Sequence, residues 1–287
     1  MRITNAMLTS RALADLQGNY AAMAKAQEQV SSAKRLNRPS DNPADVQAAI
    51  KLNESVAALG QHLRNIDAGD RNTSTAETAL ASAGSAIMRL KELGLQAANG
   101  TLSAADRTAI LKEVTSLADE LVALANTKVG EDYVFSGQKT ATAPYAGPAA
   151  VYAGDHGSIN ARVAPGVTLA VNVTADAAFG PALAAANQLA SDLALGNPTQ
   201  PATLTVLDTG LSALLSARTQ IGAVANRLES TRTFVQASQD AATKMLSDVQ
   251  DADMAAVISE AASRQTVYQA AIAVNAKILQ KSLIDEL

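Results

Sequence analysis

The stretch SSAKRLNRPSDNPAD, residues 31–45, decides how this chain is read. It gathers Arg, Asn, Pro and Asp more densely than any other part of a sequence that otherwise reads as nearly unbroken helix. Lys34 and Arg35 suit the C-terminal end of a preceding helix dipole. Asn42 followed by Pro43 reads as an N-cap with proline at the first helical position, and Asp45 makes the arrangement resemble a capping box. The stretch is therefore a corner between two helices.

Upstream, residues 3–34 carry a heptad series of Leu13, Leu16, Tyr20, Met23, Gln27 and Val30, the spacing that keeps one seam toward a partner. Such a helix is about 45 to 50 Å long and cannot bury that seam alone. Downstream, Leu52, Leu59, Ile66, Leu80 and Ile87 recur every seven residues, with Thr73 as the weak member, until NGT at 99–101 ends the helix. Ser103 with Asp106 restarts one, and Ile110, Leu111, Val114, Leu117, Leu121 and Leu124 give it an apolar face up to about Lys128.

Between Val129 and Gly180 the helical period disappears, Gly and Pro gather, and most of the few aromatic residues appear. VTLAVNVT at 167–174 alternates as a strand does, and GDHG at 154–157 reads as a turn. A short helix is expected from Pro181 to about Leu195, broken by GNPTQP. The last third mirrors the first. Leu207, Leu214, Ile221, Leu228, Val235, Ala242 and Val249 recur at sevens, and after SDVQDAD a final helix carries Met254, Val257, Ala261, Tyr268, Ala271 and Ile278. The fold class is mainly α: long antiparallel helices from both ends of the chain, with a small β-containing insertion between them.

Composition agrees. Three Phe, five Tyr and no Trp leave burial to Leu, Ile, Val, Met and Ala, which favours thin helical packing over a thick core. A net charge of −4, with cations scattered rather than striped, argues against nucleic acid as a partner. The chain has no cysteine, so disulfides and thiolate metal sites are excluded. No stretch reaches the length of a membrane span, and the first residues lack the apolar core of a secretory signal.

No chemistry-bearing constellation emerges. His62 and His156 have no second ligand at metal spacing, and each reads as solvated or incidental. SGQKT at 136–140 lacks the adjacent Gly and Lys of a phosphate-binding loop. Asp251 and Asp253 precede an apolar helix, where the macrodipole accounts for them. Neither an enzyme nor a cofactor is expected.

Four segments together carry a family resemblance: MRIT before the first heptad helix, AKRLNRPSDNPAD at the corner, DYVFSGQKTATAPY at 132–145, and QKSLIDEL after a final helix. In order and at the expected length they resemble the bacterial flagellin superfamily, and within it the hook-associated proteins more than the filament flagellins, whose corner usually reads like INSAKDDAAG. Ala33 stands where Gly is common in the family and Asn42 where Asp is usual. The resemblance implies an inner terminal helix and loop (1–42), trunk helices (43–128), an outer β-containing insertion (129–202), a trunk helix (203–250) and a second inner helix (251–287). It implies secretion without a cleaved signal, a place in the extracellular flagellum at the junction of hook and filament, and assembly into a ring or tube. The implied partners are copies of itself, a hook-associated protein on one side, flagellin on the other, and an export chaperone before secretion. Membrane and nucleic acid are not implied. The residues expected to carry assembly are Leu13, Leu16, Tyr20, Met23 and Val30 in the first helix, Arg35, Arg38, Asp41 and Asp45 at the corner, and Val257, Tyr268, Ile272, Ile278, Leu279 and Leu283 in the last. A filament flagellin and, from a different class, a coiled-coil signalling protein are the alternatives.

Overall fold

The computed structural model describes residues 5–99 and 102–284. Its helices are α1 (Asn5–Ser32), α2 (Pro43–Ala97), α3 (Ala104–Ala125), α4 (Ala175–Ala194), α5 (Pro201–Gln250) and α6 (Met254–Ile284). Between α3 and α4 lie two antiparallel hairpins, β1 (Lys128–Val129) with β2 (Asp132–Tyr133) and β3 (Asn160–Ala164) with β4 (Val167–Ala170). The chain divides into two units, residues 59–238 and residues 1–58 with 239–287.

The first of these is built on the antiparallel pairing of α2 with α5. Ion pairs Lys91–Asp208 at 2.5 Å, Glu77–Arg218 at 2.7 Å and Asp67–Arg232 at 3.0 Å mark one constant register. That register brings the two heptad rows into the same layers, from Ile87 with Leu207 to Leu59 with Val235, and every one of these side chains is buried. Thr73, the weak member, is fully buried and harmless because its hydroxyl donates to the Gly69 and Asp70 carbonyls of its own helix. Burying each Leu or Ile is worth about 1.5–3 kcal/mol, whereas exposed ion pairs contribute less than about 1 kcal/mol. Burial therefore holds the pair, and the charges select its register.

Small residues let the layers close. A Cβ on Gly210 would lie 2.7 Å from Ile87 Cδ1 and 2.8 Å from Ala182 Cα, so α5 meets both α2 and α4 where only glycine fits. α3 packs along α4, and Ile110, Val114, Ala118 and Leu121 join Leu183, Ala186 and Leu189 in one core. Ser103 caps α3 in a closed capping box with Asp106, as expected. Phe135 and Phe179 meet edge to face, with ring centroids 5.1 Å apart, at the base of the insertion.

The insertion differs from the sequence reading in three ways. The strand expected over 167–174 ends at Ala170, and it pairs with β3 through a tight turn at Pro165 and Gly166, where Gly166 has φ of 73°. The hairpin β1–β2 turns at Gly130, also at positive φ. The short helix expected from Pro181 is a 20-residue helix beginning at Ala175, with Pro181 in its second turn. His62 is a further correction. It is buried rather than solvated, and its Nδ1 lies 3.2 Å from the Arg162 carbonyl.

Candidate functional site: the paired terminal helices

In the unit formed by residues 1–58 and 239–287, α1 and α6 lie antiparallel. Tyr20 and Tyr268 bring their rings to 5.7 Å, and Asn275 Nδ2 donates to the Ala12 carbonyl at 3.3 Å. Burial follows a heptad seam of Ala12, Leu16, Asn19, Met23, Ala26 and Val30 on α1 against Met254, Val257, Ala261, Tyr268, Ala271 and Asn275 on α6. The seam of α1 is thus shifted from the row read in the sequence. Leu16, Met23 and Val30 belong to it, but Leu13 and Tyr20 are 57% and 55% exposed, and Gln27 is exposed too. Small residues stand where the helices approach: Ala12 and Ala26 sit toward α6, while the larger Leu13 and Tyr20 sit to the side.

This pair buries little. Ala26 is the one α1 side chain classed as buried among the described residues, and α6 has none. Among the side chains it leaves in solvent are large apolar ones: Met7, Leu13 and Tyr20 on α1, and Ile258, Val267, Ile272 and Val274 on α6. Ile258 with Ile272 and Val267 with Val274 repeat at multiples of seven and lie on two different sides of α6. Between the two helices Thr9, Ala12, Leu13, Leu16, Ile272, Asn275 and Ala276 line a groove of about 320 Å³. The side chains of Ile278, Leu279 and Leu283, which the sequence adds to this set, lie outside the described residues.

The corner carries the charges. Ala33 ends α1 in the left-handed region, φ 55°, a conformation a Cβ disfavours. The chain then runs antiparallel to the segment between α5 and α6: Arg35 N donates to the Gln250 carbonyl at 2.8 Å and Ala252 N to the Ala33 carbonyl at 3.0 Å. Asn42 caps α2 through the amides of Ala44 and Asp45. Asp45 does not close the box; its carboxylate accepts from Arg35 at 2.8 Å instead. Arg38 pairs with Glu28 at 2.9 Å and Asp41 with Lys25 at 2.8 Å. Asp41 also accepts from the Asn37 and Arg38 amides. The hydrogen bond from Lys25, then those two amides, hold its carboxyl at about 2, well below the ordinary 3.8. Asp253 caps α6 through Ala255 and Ala256. The four corner residues singled out in the sequence thus have partners within the chain. Sequence reasoning missed Ala12, Ala26 and Asn275, whose 3–4 spacing was present but whose size drew no notice.

Among the described residues, no three His, Asp or Glu side chains gather as a metal site, and no helix is long and apolar enough to cross a membrane. What this site can do is associate through helix faces.

Comparison with known proteins places these features. Residues 3–140 match the bacterial flagellin N-terminal helical region and residues 204–287 the C-terminal helical region. Flagellar hook-associated protein 3 of Escherichia coli K12 is 28% identical, over 94% of each chain. Flagellin of Bacillus subtilis 168 is 29% identical over 98% of this chain and 97% of its own. The solved structure of the flagellar junction protein FlgL of Legionella pneumophila shares the fold, with a TM-score of 0.58 over 71% of this chain and 99% of that one, at 17% identity. With both flagellin helical regions matched in order over more than half of its length, the chain belongs to the bacterial flagellin superfamily.

Proposed function

We propose that this chain is a structural component of the external flagellum, acting at the hook–filament junction as an adaptor on which the flagellin filament is built. The observation that supports the reading is the α1–α6 pair, whose apolar faces stay in water in the single chain; stacking of subunits would cover them. Its working surface is the row Leu13, Tyr20 and Ile272, with Leu16, Met23, Val30, Val257 and Tyr268 holding the pair together. Arg35, Arg38, Asp41 and Asp45 fix the corner from which the pair departs. The inner layer is residues 1–42 and 251–287, the trunk 43–128 and 203–250, and the outer part 129–202. The partners are further copies of the chain in a ring or tube, a hook-associated protein on the hook side, flagellin on the filament side, and an export chaperone before secretion. Its action is assembly rather than catalysis.

Deleting the gene in its host tests this. The expected result is hooks without filaments and flagellin shed into the medium, restored by the intact gene. Filaments of normal length on the deletion strain would overturn the junction role. Hooks that still anchor other flagellins, with a thinner or shorter filament, would favour the filament-flagellin reading, which the similarity to B. subtilis flagellin supports.

A further inference from the structure

Arg35 touches three of the helices whose ends meet at the corner, α1, α2 and α5. Its guanidinium Nη2 donates to Asp45 Oδ2 at the start of α2, 2.8 Å, and to the Val249 carbonyl at the end of α5, 2.7 Å. Its own amide donates to the Gln250 carbonyl at 2.8 Å, and its carbonyl accepts from Gln29 of α1 at 3.1 Å. The last carbonyls of a helix lack intrahelical donors and carry the negative end of its dipole, so a guanidinium there is favoured twice over. The α1–α6 seam, in contrast, buries little: of its side chains among the described residues only Ala26 is buried. A seam so little buried specifies its register less strongly than a fully buried one, which leaves a share of that work to the corner.

We infer that Arg35 is a positioning residue that sets the register of the terminal helices and selects pairing of α1 with α6 of the same chain over α6 of another copy. With Arg35 in place, the bonds from the Arg35 amide to the Gln250 carbonyl and from the Ala252 amide to the Ala33 carbonyl hold residues 33–35 against 250–252, and farther along the same two helices Tyr20 meets Tyr268 and Asn275 reaches the Ala12 carbonyl. Without it those two backbone bonds stand exposed and unsupported, and α1 is free to slide or to exchange. The inference concerns pairing within one chain. Its failure would leave the flagellar reading standing, and failure of that reading would leave the inference standing.

The absence of native cysteine makes the test direct. Three double-cysteine versions of the full chain are oxidised at low protein concentration: Tyr20→Cys with Tyr268→Cys in the observed register, and Tyr20→Cys with Ala261→Cys or with Asn275→Cys one heptad away. Intramolecular and intermolecular products are separated by size on a non-reducing gel. The native corner should give mainly the 20–268 intramolecular product. Arg35→Ala should lower its ratio to shifted and intermolecular products by about tenfold, the loss of one to two charge-assisted hydrogen bonds. Arg35→Lys keeps the charge and the donors but loses the rigid planar fork that aims them, and should fall between. Asp45→Asn removes one partner and leaves the backbone bonds, so it keeps the test open if Arg35→Ala loses helicity; a shift of about threefold is expected there. An unchanged ratio in Asp45→Asn and in Arg35→Lys, with helicity intact, would overturn the inference.

Discussion

Replacing Leu13 and Ile272 by Gln should cripple assembly while leaving the single chain as stable as before. Both side chains flank the groove between α1 and α6, with 57% and 44% of their surface still in water. A fully buried Leu or Ile is worth about 1.5–3 kcal/mol, so covering those remaining fractions is worth about 1 kcal/mol each. Gln is as good a helix former as Leu, so the substitution at position 13 leaves intrinsic helicity untouched. The expected loss is about 2 kcal/mol per subunit contact, or roughly thirtyfold in the concentration at which polymer first forms. The assay is pelleting across a concentration series, with thermal unfolding of the unassembled chain as the control. Two results would refute the reasoning. One is an unchanged threshold for assembly. The other is a fall in single-chain stability as large as the loss of assembly, which would place these side chains in the intramolecular core.

The trunk and the corner give four further expected outcomes. Gly210→Ala should destabilise by about 1–2 kcal/mol, because the 2.7–2.8 Å clash with Ile87 and the α4 backbone outweighs the helix-propensity gain. Gly222→Ala on the same helix meets nothing within 4 Å and should stabilise by about 0.5–1 kcal/mol; denaturant titration separates the two signs. Ala33→Gly should stabilise the corner by about 1 kcal/mol, since its φ of 55° costs a Cβ-bearing residue about that much; hydrogen exchange of the Arg35 and Ala252 amides reads it. Asp41 sits at about 2 in the folded chain against an ordinary 3.8, so its contribution is complete above about pH 4 and is lost as pH falls toward 2. Asp41→Asn should remove that acid-sensitive component from a pH series of corner exchange rates, leaving the rates at neutral pH already raised.

How far the fold can be read from the sequence depends on what repeats. The rows Leu59 to Ile87 and Leu207 to Val235 are legible because a supercoiled pair demands one apolar side chain every seven residues over its whole length. The closed cap at Ser103 is legible because its two hydrogen bonds are local. The hairpin β1–β2 is not, since two residues per strand leave no alternation to see. Pro181 misleads because proline is commonest at the first helical turn, whereas here Ala175–Gly180 already form one and the ring is accommodated in the second. The seam of α1 is misread for a related reason. Leu13 and Tyr20 look like core by size, yet the helix pair places Ala12 and Ala26 toward its inside and leaves the large side chains more than half in solvent. At the corner the sequence shows charges of both signs, but which pairs they form depends on the crossing of 33–35 with 250–252, a contact more than 200 residues apart in the chain.

Completion of α1 and α6 by assembly is tested most directly by hydrogen exchange measured residue by residue on the free chain and on the polymer. The expected result is fast exchange through α1 and α6 in the free chain beside slow exchange in the layered core of α2 and α5, and strong protection of α1 and α6 once subunits have stacked. Equal protection of the terminal helices in both states would refute it.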